Sequence, residues 1–374
     1  MSIEYVEIRN ENIELLGIID TAQSIIWHSV YYGVGDFEIY VQATPEALSL
    51  LQAGNLVTRP DDLEVGIIEK ISIARNPQDG CMITAAGRFA KCLLGRRLIY
   101  NLSGNVNTPT ILRGNVETEV RRVVAENAID CPFDRRRNIP LLALGELANI
   151  PKRIVDSDGN AAQKQVSYQN LLQYTDELLQ EYGLGATVIL DPAALRYVIY
   201  GGADRSWDNL EGNTPIIFSK EFDNMTSSSY EYDATTEMNA ALIGGAGEGV
   251  ERFYSLVAGA QTGLQRREMW VDAASLNRTY KDENDEEQTY SESDYRAMLD
   301  AAGVQQLNAN NITEAFDGEI DIQNSQWQYN RDFALGDIVT VQDGEIGKFI
   351  NVRLREVLEV QDENGYRIEA NNKA

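Results

Sequence analysis

The sequence predicts a β-rich α+β protein in which two related small antiparallel β-barrels or sandwiches flank an α/β insert domain. Three observations predict this class. Short segments rich in β-branched and aromatic residues recur along the chain, helical patterns are few, and part of the N-terminal sequence returns near the C-terminus. The length of 374 residues allows several domains, each with its own core.

The predicted strands are bounded by Gly, Pro, Asn or Asp, which favour turns. The clearest lie at residues 37–41, 66–73, 82–85, 186–190, 197–200 and 215–219. Three further segments are predicted to be helices, and the first two begin at a residue that can cap the first turn. They run from Asn115 to about Asn127, from Ser167 to about Tyr182 before Gly183, and from Ser291 to Ala302 before Gly303.

The strongest pattern is an internal repeat of four blocks in the same order and at nearly the same spacing. The matching blocks are Glu38-Ile39 with Glu319-Ile320, Gly54-Asn55-Leu56-Val57-Thr58 with Gly336-Asp337-Ile338-Val339-Thr340, Glu64-Val65-Gly66 with Glu345-Ile346-Gly347, and Asp79-Gly80 with Asn364-Gly365. Each copy is expected to fold as strand, glycine turn, strand, hairpin and strand. The predicted turn residues of the repeat are Gly54, Asn55, Gly66, Gly336, Asp337 and Gly347.

The repeat and the helices between its copies predict a division into domains. Residues 1–112 form a first β module, with about residues 206–235 as a candidate completion. Residues 113–205 form the α/β insert. Residues 236–374 form a second β module, which carries a hairpin and helix insertion at about residues 275–310.

The charge excludes several classes of protein. The formal net charge is −26, which is the wrong sign for a protein that binds nucleic acid or anionic lipid. Residues 1–150 hold 14 basic and 19 acidic side chains, whereas residues 151–374 hold 18 and 39, so most of the excess lies in the second part. No apolar run of about 18 residues is present, and the N-terminus lacks the pattern of a secretory signal, so neither a membrane span nor export is expected.

No motif for a cofactor or metal stands out, and we expect none to be bound. The three cysteines, Cys81, Cys92 and Cys131, lack metal-ligand spacing, which favours a reduced place of synthesis. The glycine-rich residues 244–249 fail both nucleotide-binding patterns and are expected to form a loop. The acidic residues 282–287 lack the glycine of a calcium loop and are expected to form a solvated hairpin tip. The single histidine, His28, is expected to pack or to lie at an interface rather than to catalyse.

Arginine clusters and tryptophans are the remaining candidate interface residues. Arg96-Arg97, Arg121-Arg122 and Arg135-Arg136-Arg137 are basic islands in an acidic chain. They form either local surface salt bridges or ion pairs across a subunit boundary with the acid-rich second part. The four tryptophans, Trp27, Trp207, Trp270 and Trp327, are expected in the core, although aromatic residues also anchor interfaces. Trp27 and His28 are the candidates of this kind near the N-terminus.

Four strings resemble one known family. They are IIDTAQSIIWHSVYYGVGDFEIYV, LLGRRLIY, ALIGGAGEGVERF and NSQWQYNRDFALGDIVTV, and the resemblance runs from about residue 5 to 370. The chain resembles the hub, or tail-tip, proteins of long non-contractile-tailed bacteriophages, which are similar to baseplate hubs. The resemblance implies a homotrimeric ring of six β-barrels, two from each chain, that docks a sixfold tail on one side and threefold fibres on the other.

The resemblance also implies partners and a location. The expected partners are the distal tail protein ring, the tape-measure protein and receptor-binding or fibre proteins. The expected location is the virion tail tip, after synthesis and assembly in the bacterial cytoplasm. Some relatives carry a cell-wall hydrolase after the second barrel, but this sequence ends at Ala374, so a structural, non-enzymatic hub is expected. The alternatives are a tail-associated hydrolase that uses carboxylates and a carbohydrate-binding module that stacks Trp and Tyr on sugars.

Overall fold

The computed structural model describes residues 3–77, 80–100, 108–132, 134–156, 159–191, 193–209, 212–281, 286–320, 326–345 and 347–371. Its helices are α1 (Pro45–Leu50), α2 (Val116–Val124), α3 (Leu171–Glu181) and α4 (Glu292–Ala309). Its strands up to the end of the insert are β1 (Val6–Arg9), β2 (Leu15–Ile19), β3 (Ala22–Val30), β4 (Asp36–Gln42), β5 (Leu56–Thr58), β6 (Gly66–Asn76), β7 (Gly80–Phe89), β8 (Thr110–Arg113), β9 (Leu142–Leu144), β10 (Gln163–Val166), β11 (Leu184–Asp191) and β12 (Ala194–Gly201). The later strands are β13 (Ile217–Ser219), β14 (Met225–Asp233), β15 (Ala240–Gly244), β16 (Tyr254–Ala258), β17 (Glu268–Asp272), β18 (Thr279–Lys281), β19 (Glu287–Thr289), β20 (Thr313–Ile320), β21 (Ile338–Asp343), β22 (Lys348–Arg353), β23 (Glu356–Asp362) and β24 (Gly365–Asn371).

One curled antiparallel sheet of eleven strands contains four strands from each copy of the repeat, while β21 and β22 of the second copy pair in a separate sheet with β13. Its order is β14-β20-β24-β23-β3-β4-β7-β6-β5-β1-β2. The first copy contributes β3-β4-β7-β6 and the second contributes β14-β20-β24-β23, which is the same order of connections. The β-rich fold with two related modules, predicted from the repeat, is therefore confirmed.

The glycine turn of the repeat is the same in both copies. Gly54 has φ +90° and Gly336 has φ +92°, a region that favours glycine. The Gly54 amide donates to the Ile68 carbonyl at 2.8 Å, and the Ile68 amide donates back to Asn55 at 2.9 Å. Gly336 and Asp337 make the same two bonds with Leu354, also at 2.8 and 2.9 Å. The predicted turn is thus found in both copies at the matching residues.

The match of Gly66 with Gly347 is wrong as an equivalence of position. Gly347 has φ +65° and lies in the hairpin between β21 and β22. Gly66 is instead the first residue of β6, where an added Cβ would lie 2.4 Å from the Phe37 ring. The second copy has extra residues here and splits the strand into β22 and β23, so the two glycines shift out of register. Asp79 and Ile346 lie outside the described residues.

The insert packs around α2 and α3 and the small sheet β11-β12-β9. The Asn115 side chain caps α2 as predicted, accepting from the Thr118 amide at 2.9 Å. The predicted Ser167 cap of the next helix is wrong, because α3 begins after Asn170, whose side chain caps it. Tyr168 instead has φ +59°, outside the helical region, and its amide donates to the Ile99 carbonyl at 2.7 Å.

The helix α4 packs on one face of the sheet β16-β15-β17. It begins after Ser291, whose side chain caps it, but it continues through the predicted end at Gly303 to Ala309. Gly303 is buried against the sheet, where an added Cβ would lie 2.6 Å from Ile243 Cδ1. This glycine therefore permits close packing rather than ending the helix. Strands β18 and β19 pair as the predicted hairpin, but residues 282–285 lie outside the described part.

The buried apolar residues form four clusters, one in each repeat, one in the insert and one under α4. The domain boundaries given in the sequence analysis stay a prediction. None of the helices in the described ranges has both the length and the apolar character needed to cross a membrane.

Candidate assembly site at the joint of the two repeats

The two repeats meet where β3 pairs with β23, so that Trp27 lies opposite Glu359. The Trp27 indole is fully buried, 4.8 Å from the Phe89 ring, and donates to Asp62 at 3.0 Å. Trp27 is thus in the core as predicted, and within one chain the contact it supports is the one between the repeats.

A buried ion pair crosses this joint. The Arg59 guanidinium donates to both carboxylate oxygens of Glu359, at 3.0 and 3.2 Å, and both residues are buried. Arg59 also donates to Asp61 at 2.7 and 3.0 Å and lies 5.3 Å from the centre of the Trp27 ring. The Tyr366 hydroxyl donates to Glu359 as well. A bidentate, additionally hydrogen-bonded pair of this kind fixes geometry more than a surface pair does.

Glu64 connects the first repeat to the insert. Its two carboxylate oxygens accept from the hydroxyls of Ser29 and Thr187, each at 2.6 Å. Burial, together with the nearby charge of Asp62, raises the pKa of Glu64 to about 7. The site therefore holds a carboxyl group that keeps its proton well above the usual range, and whose oxygens are occupied by structural hydrogen bonds.

Tyr31 connects all three parts of the chain. Its hydroxyl donates to the Gly183 carbonyl at 3.0 Å and accepts from the Gly202 amide at 3.2 Å. Its buried ring lies so close to Gly185 and Gly336 that an added Cβ would be 2.5 and 2.2 Å from Cε2. Residues of the first repeat, the insert and the second repeat are thereby held against one ring.

His28 lies on the half-exposed side of the same joint. Its Nδ1 is 3.3 Å from Asp36 of β4, and its Nε2 is 3.7 Å from Glu356 of β23. The imidazole thus spans β4 and β23 across β3, which agrees with a packing role.

The structure brings two of the predicted arginine islands together. The Arg97 side chain donates to the Arg137 carbonyl at 2.5 Å, and Arg137 stacks 4.0 Å from the Tyr100 ring. Arg96 pairs with Glu69 at 3.2 Å, and Arg136 pairs with Asp134 at 2.8 Å. Arg135 is exposed beside them. The third island, Arg121-Arg122, stays apart: Arg121 is buried, and Arg122 pairs with Glu119 and Glu126 along α2.

Two tryptophans predicted in the core are exposed instead. Trp270 is 48% exposed on the sheet face opposite α4, in register with Leu242 and near Tyr254 and Leu256, which are also exposed. The residue alternation of β15 explains this, because Ala241 and Ile243 point to α4 and Leu242 points away. Trp207 is 56% exposed, while Trp327 packs against the core of the second repeat.

Sequence reasoning missed the ion pair at the joint. Arg59 and Glu359 are 300 positions apart, and neither stands in a motif. One signal was present: Arg59 directly follows the repeated block that ends at Thr58, where the second copy has the apolar Val341. The described residues contain no cluster of His, Cys, Asp and Glu that could hold a metal ion.

A curled sheet that carries two repeats defines this chain as a protein of the phage-tail fold. The 43 kDa tail protein of prophage MuSo2 from Shewanella oneidensis is similar, with a TM-score of 0.58 and 13% identity over 99% of this chain and 98% of that one. A tail protein from Neisseria meningitidis MC58 has a TM-score of 0.54 and 13% identity, over 99% and 96% of the two chains. Prophage tail protein gp18 from Listeria monocytogenes EGD-e has a TM-score of 0.51 and 12% identity, over 98% and 94%.

The chain belongs to the family of Siphovirus ReqiPepy6 Gp37-like proteins, whose model matches residues 5–371. No curated protein matches the sequence. The resemblance to tail proteins of long non-contractile-tailed phages is therefore confirmed, and the chain is a phage tail protein of the virion.

Proposed function

We propose that this chain is the structural hub of a phage tail tip or baseplate. Three copies would form a ring that closes the tail tube and anchors receptor-binding or fibre proteins. The single observation that carries this proposal is the unbroken sheet that joins two copies of one module edge to edge. A trimer of such chains presents six similar modules to a sixfold tube and only three inserts to threefold fibres.

The joint suits this role because it fixes the angle between the modules. Strand pairing, the Arg59–Glu359 pair and the Tyr31 ring all act at the same boundary. A hub needs such rigidity, since a change of angle at each joint would prevent the ring from closing. The proposed partners are the distal tail protein ring, the tape-measure protein and the fibre proteins, met after synthesis in the host cytoplasm.

A structural rather than enzymatic role agrees with the hydrogen-bonded carboxylates at the joint. Among the described residues, Asp62, Glu64 and Glu359 accept hydrogen bonds from Trp27, Ser29, Thr187, Arg59 and Tyr366. Groups held in this way stabilise the fold. The hydrolase alternative thus gains no candidate pair from the joint.

Sedimentation of the purified chain and negative-stain imaging of intact particles test the proposal. A trimer in solution and a threefold ring with six lobes at the tail tip are expected. Three chains bring together three times the 26 formal negative charges, so trimer stability should depend on ionic strength. A strict monomer in solution combined with particles that lack such a ring would contradict the proposal.

The carbohydrate-binding module remains a second candidate function because aromatic residues are exposed. Trp270 and Tyr254 lie beside each other on an open sheet face, with ring centres 6.3 Å apart. Such a pair can stack on sugar rings. Binding of the isolated chain to a glycan array, lost on Trp270→Ala, would favour this function.

A further inference from the structure

Part of the outer edge of strand β6, in the first repeat, is open. Strand β6 pairs with β5 only at Gly66 and Ile67, and the glycine turn covers Ile68. Beyond that point no described strand pairs with its outer side, and its residues from 69 to 75 are exposed or half-buried. Ile73 is 54% exposed there. An open edge that carries an exposed isoleucine is a site for pairing with another strand.

The second repeat leaves the matching edge open. Strand β14 is the outermost strand of the eleven-stranded sheet and pairs only with β20 among the described strands. Its counterpart in the first repeat is β3, which is covered on the equivalent side by β23. Each repeat therefore lacks the partner that the other repeat has inside the chain.

The internal joint gives the register that a joint between chains would have. Ile39 of β4 and Ile71 of β6 lie opposite the same residue of β7. Likewise, the equivalent Ile320 of β20 and Glu359 of β23 lie opposite the same residue of β24. Ile71 is thus the counterpart of Glu359, and the next residue, Ser72, is the counterpart of Val360.

The other edge is placed in the same way. Ile26 of β3 and Ser227 of β14 are at equivalent positions, because each lies opposite the matching glutamate of the repeat, on β4 and on β20 respectively. Inside the chain Ile26 lies opposite Val360. Ser72 of one chain should therefore lie opposite Ser227 of the next, and both side chains are exposed.

The charges of the two edges are complementary. Residues 69–75 of β6 contain Lys70 and Arg75, and their one acidic residue, Glu69, is paired with Arg88 and Arg96, although the chain as a whole is strongly acidic. Residues 225–233 of β14 contain Glu231 and Asp233 and no basic residue. With Ser72 opposite Ser227, Lys70 lies opposite Ser229 and diagonal to Glu231, a spacing at which opposite charges on facing strands attract, whereas two copies of the β6 edge would bring Lys70 and Arg75 of both chains together and repel. This complementarity favours head-to-tail pairing over pairing of like edges.

We propose that β6 of one chain pairs antiparallel with β14 of the next and repeats, between chains, the β3–β23 joint found within each chain. The occupant of each open edge is thus a second copy of this chain. The inference rests on the proposed ring and names the surface that closes it. Head-to-tail pairing of this kind continues from copy to copy, so the ring closes without a free β6 or β14 edge.

Disulfide trapping tests the register. The variant Ser72→Cys/Ser227→Cys, in a Cys81→Ser background, should form a covalent ladder up to the trimer under mild oxidation, because opposed residues of antiparallel strands are within reach of a disulfide. The matched control is Ile18→Cys/Ser227→Cys, which places the first cysteine on β2, the strand at the far end of the same sheet. Cys92 and Cys131 are buried and stay in both variants.

Each result separates the edge proposal from the ring itself. A trimer with the ladder from the Ser72 variant alone supports the proposed pairing. A trimer that gives no ladder, or a ladder only from the Ile18 control, overturns the pairing and leaves the ring standing. A chain that sediments as a monomer at its highest soluble concentration, and forms no ladder, overturns both.

Discussion

Substituting alanine at the two equivalent turn glycines should give very different losses of stability. Gly54 and Gly336 share a positive φ and the same two hydrogen bonds. They differ in what surrounds them. An added Cβ at Gly54 meets no atom within 4 Å, whereas at Gly336 it would lie 2.2 Å from Cε2 of Tyr31. The pair thus separates the cost of backbone conformation from the cost of a steric clash.

The magnitudes follow from those two contributions. Gly54→Ala should reduce the free energy of unfolding by about 1–2 kcal/mol, the cost of a left-handed conformation for alanine. Gly336→Ala should add about 1–3 kcal/mol for overpacking, giving roughly 3–5 kcal/mol in all. The Tyr31 ring cannot move away easily, because it is also packed against Gly185 and its hydroxyl is bonded to Gly183 and Gly202.

Thermal unfolding of both variants and the parent chain measures the difference. With a shift of roughly 2–4 °C per kcal/mol for a unit of 150–250 residues, Gly336→Ala should melt clearly below Gly54→Ala. In a Tyr31→Ala background the clash is removed, so Gly336→Ala should then cost about as much as Gly54→Ala. Equal losses in the parent chain would refute the assignment of Tyr31 as the contact that distinguishes the two turns.

Three more predictions concern other residues of the joint and the exposed sheet face. The parent chain should lose on the order of 1–3 kcal/mol of stability as pH rises from about 4.5 to 7, because folded Glu64 keeps a proton that the unfolded chain releases; Glu64→Gln should flatten that slope in urea titrations, and an unchanged slope would argue against it. Arg59→Met should cost about 3–5 kcal/mol by leaving Glu359 buried and unpaired, and Arg59→Met/Glu359→Leu should recover most of this loss; a double variant as unstable as the single would contradict the pairing. Trp270→Ala should lower the free energy of unfolding, followed by thermal melting, by less than the about 3–5 kcal/mol that removal of a buried aromatic ring costs. A loss of that size would mean that Trp270 is not on an open face.

The sequence predicted those turns and helix caps that depend on interactions between residues a few positions apart. The repeated glycine turn was found because positive φ requires a small set of residues, and the blocks around Gly54 and Gly336 keep them. The cap Asn115 was found because its side-chain oxygen accepts within the next turn, from the Thr118 amide. Ser167 failed by the same standard, since two polar residues a few positions apart can each cap a helix and the pairing of Tyr168 with Ile99 decides between them.

Contacts between distant segments could not be predicted from the sequence. Gly303 has the residue type of a helix end, but its neighbour Ile243 makes it a packing position. Tryptophan is a residue type that is often buried, but the placement of α4 decides which face of the sheet is covered, and Trp270 lies on the other face. The Arg59–Glu359 pair depends on the meeting of β3 and β23, which no local pattern indicates. In each case tertiary placement overrides a local preference.

The pairing of β3 with β23 has a consequence for the order of events during synthesis. Residues 22–30 acquire their partner only when residues 356–361 have left the ribosome, so the central sheet stays incomplete on a nascent chain until then. Until then the edge that later becomes the joint is available to the wrong strand, including one from a neighbouring nascent chain. A product truncated before residue 356 would lack this strand and its Glu359. The long-range pairing would thus act as a check of length, since only chains that reach these residues could gain the rigid joint and enter an assembly.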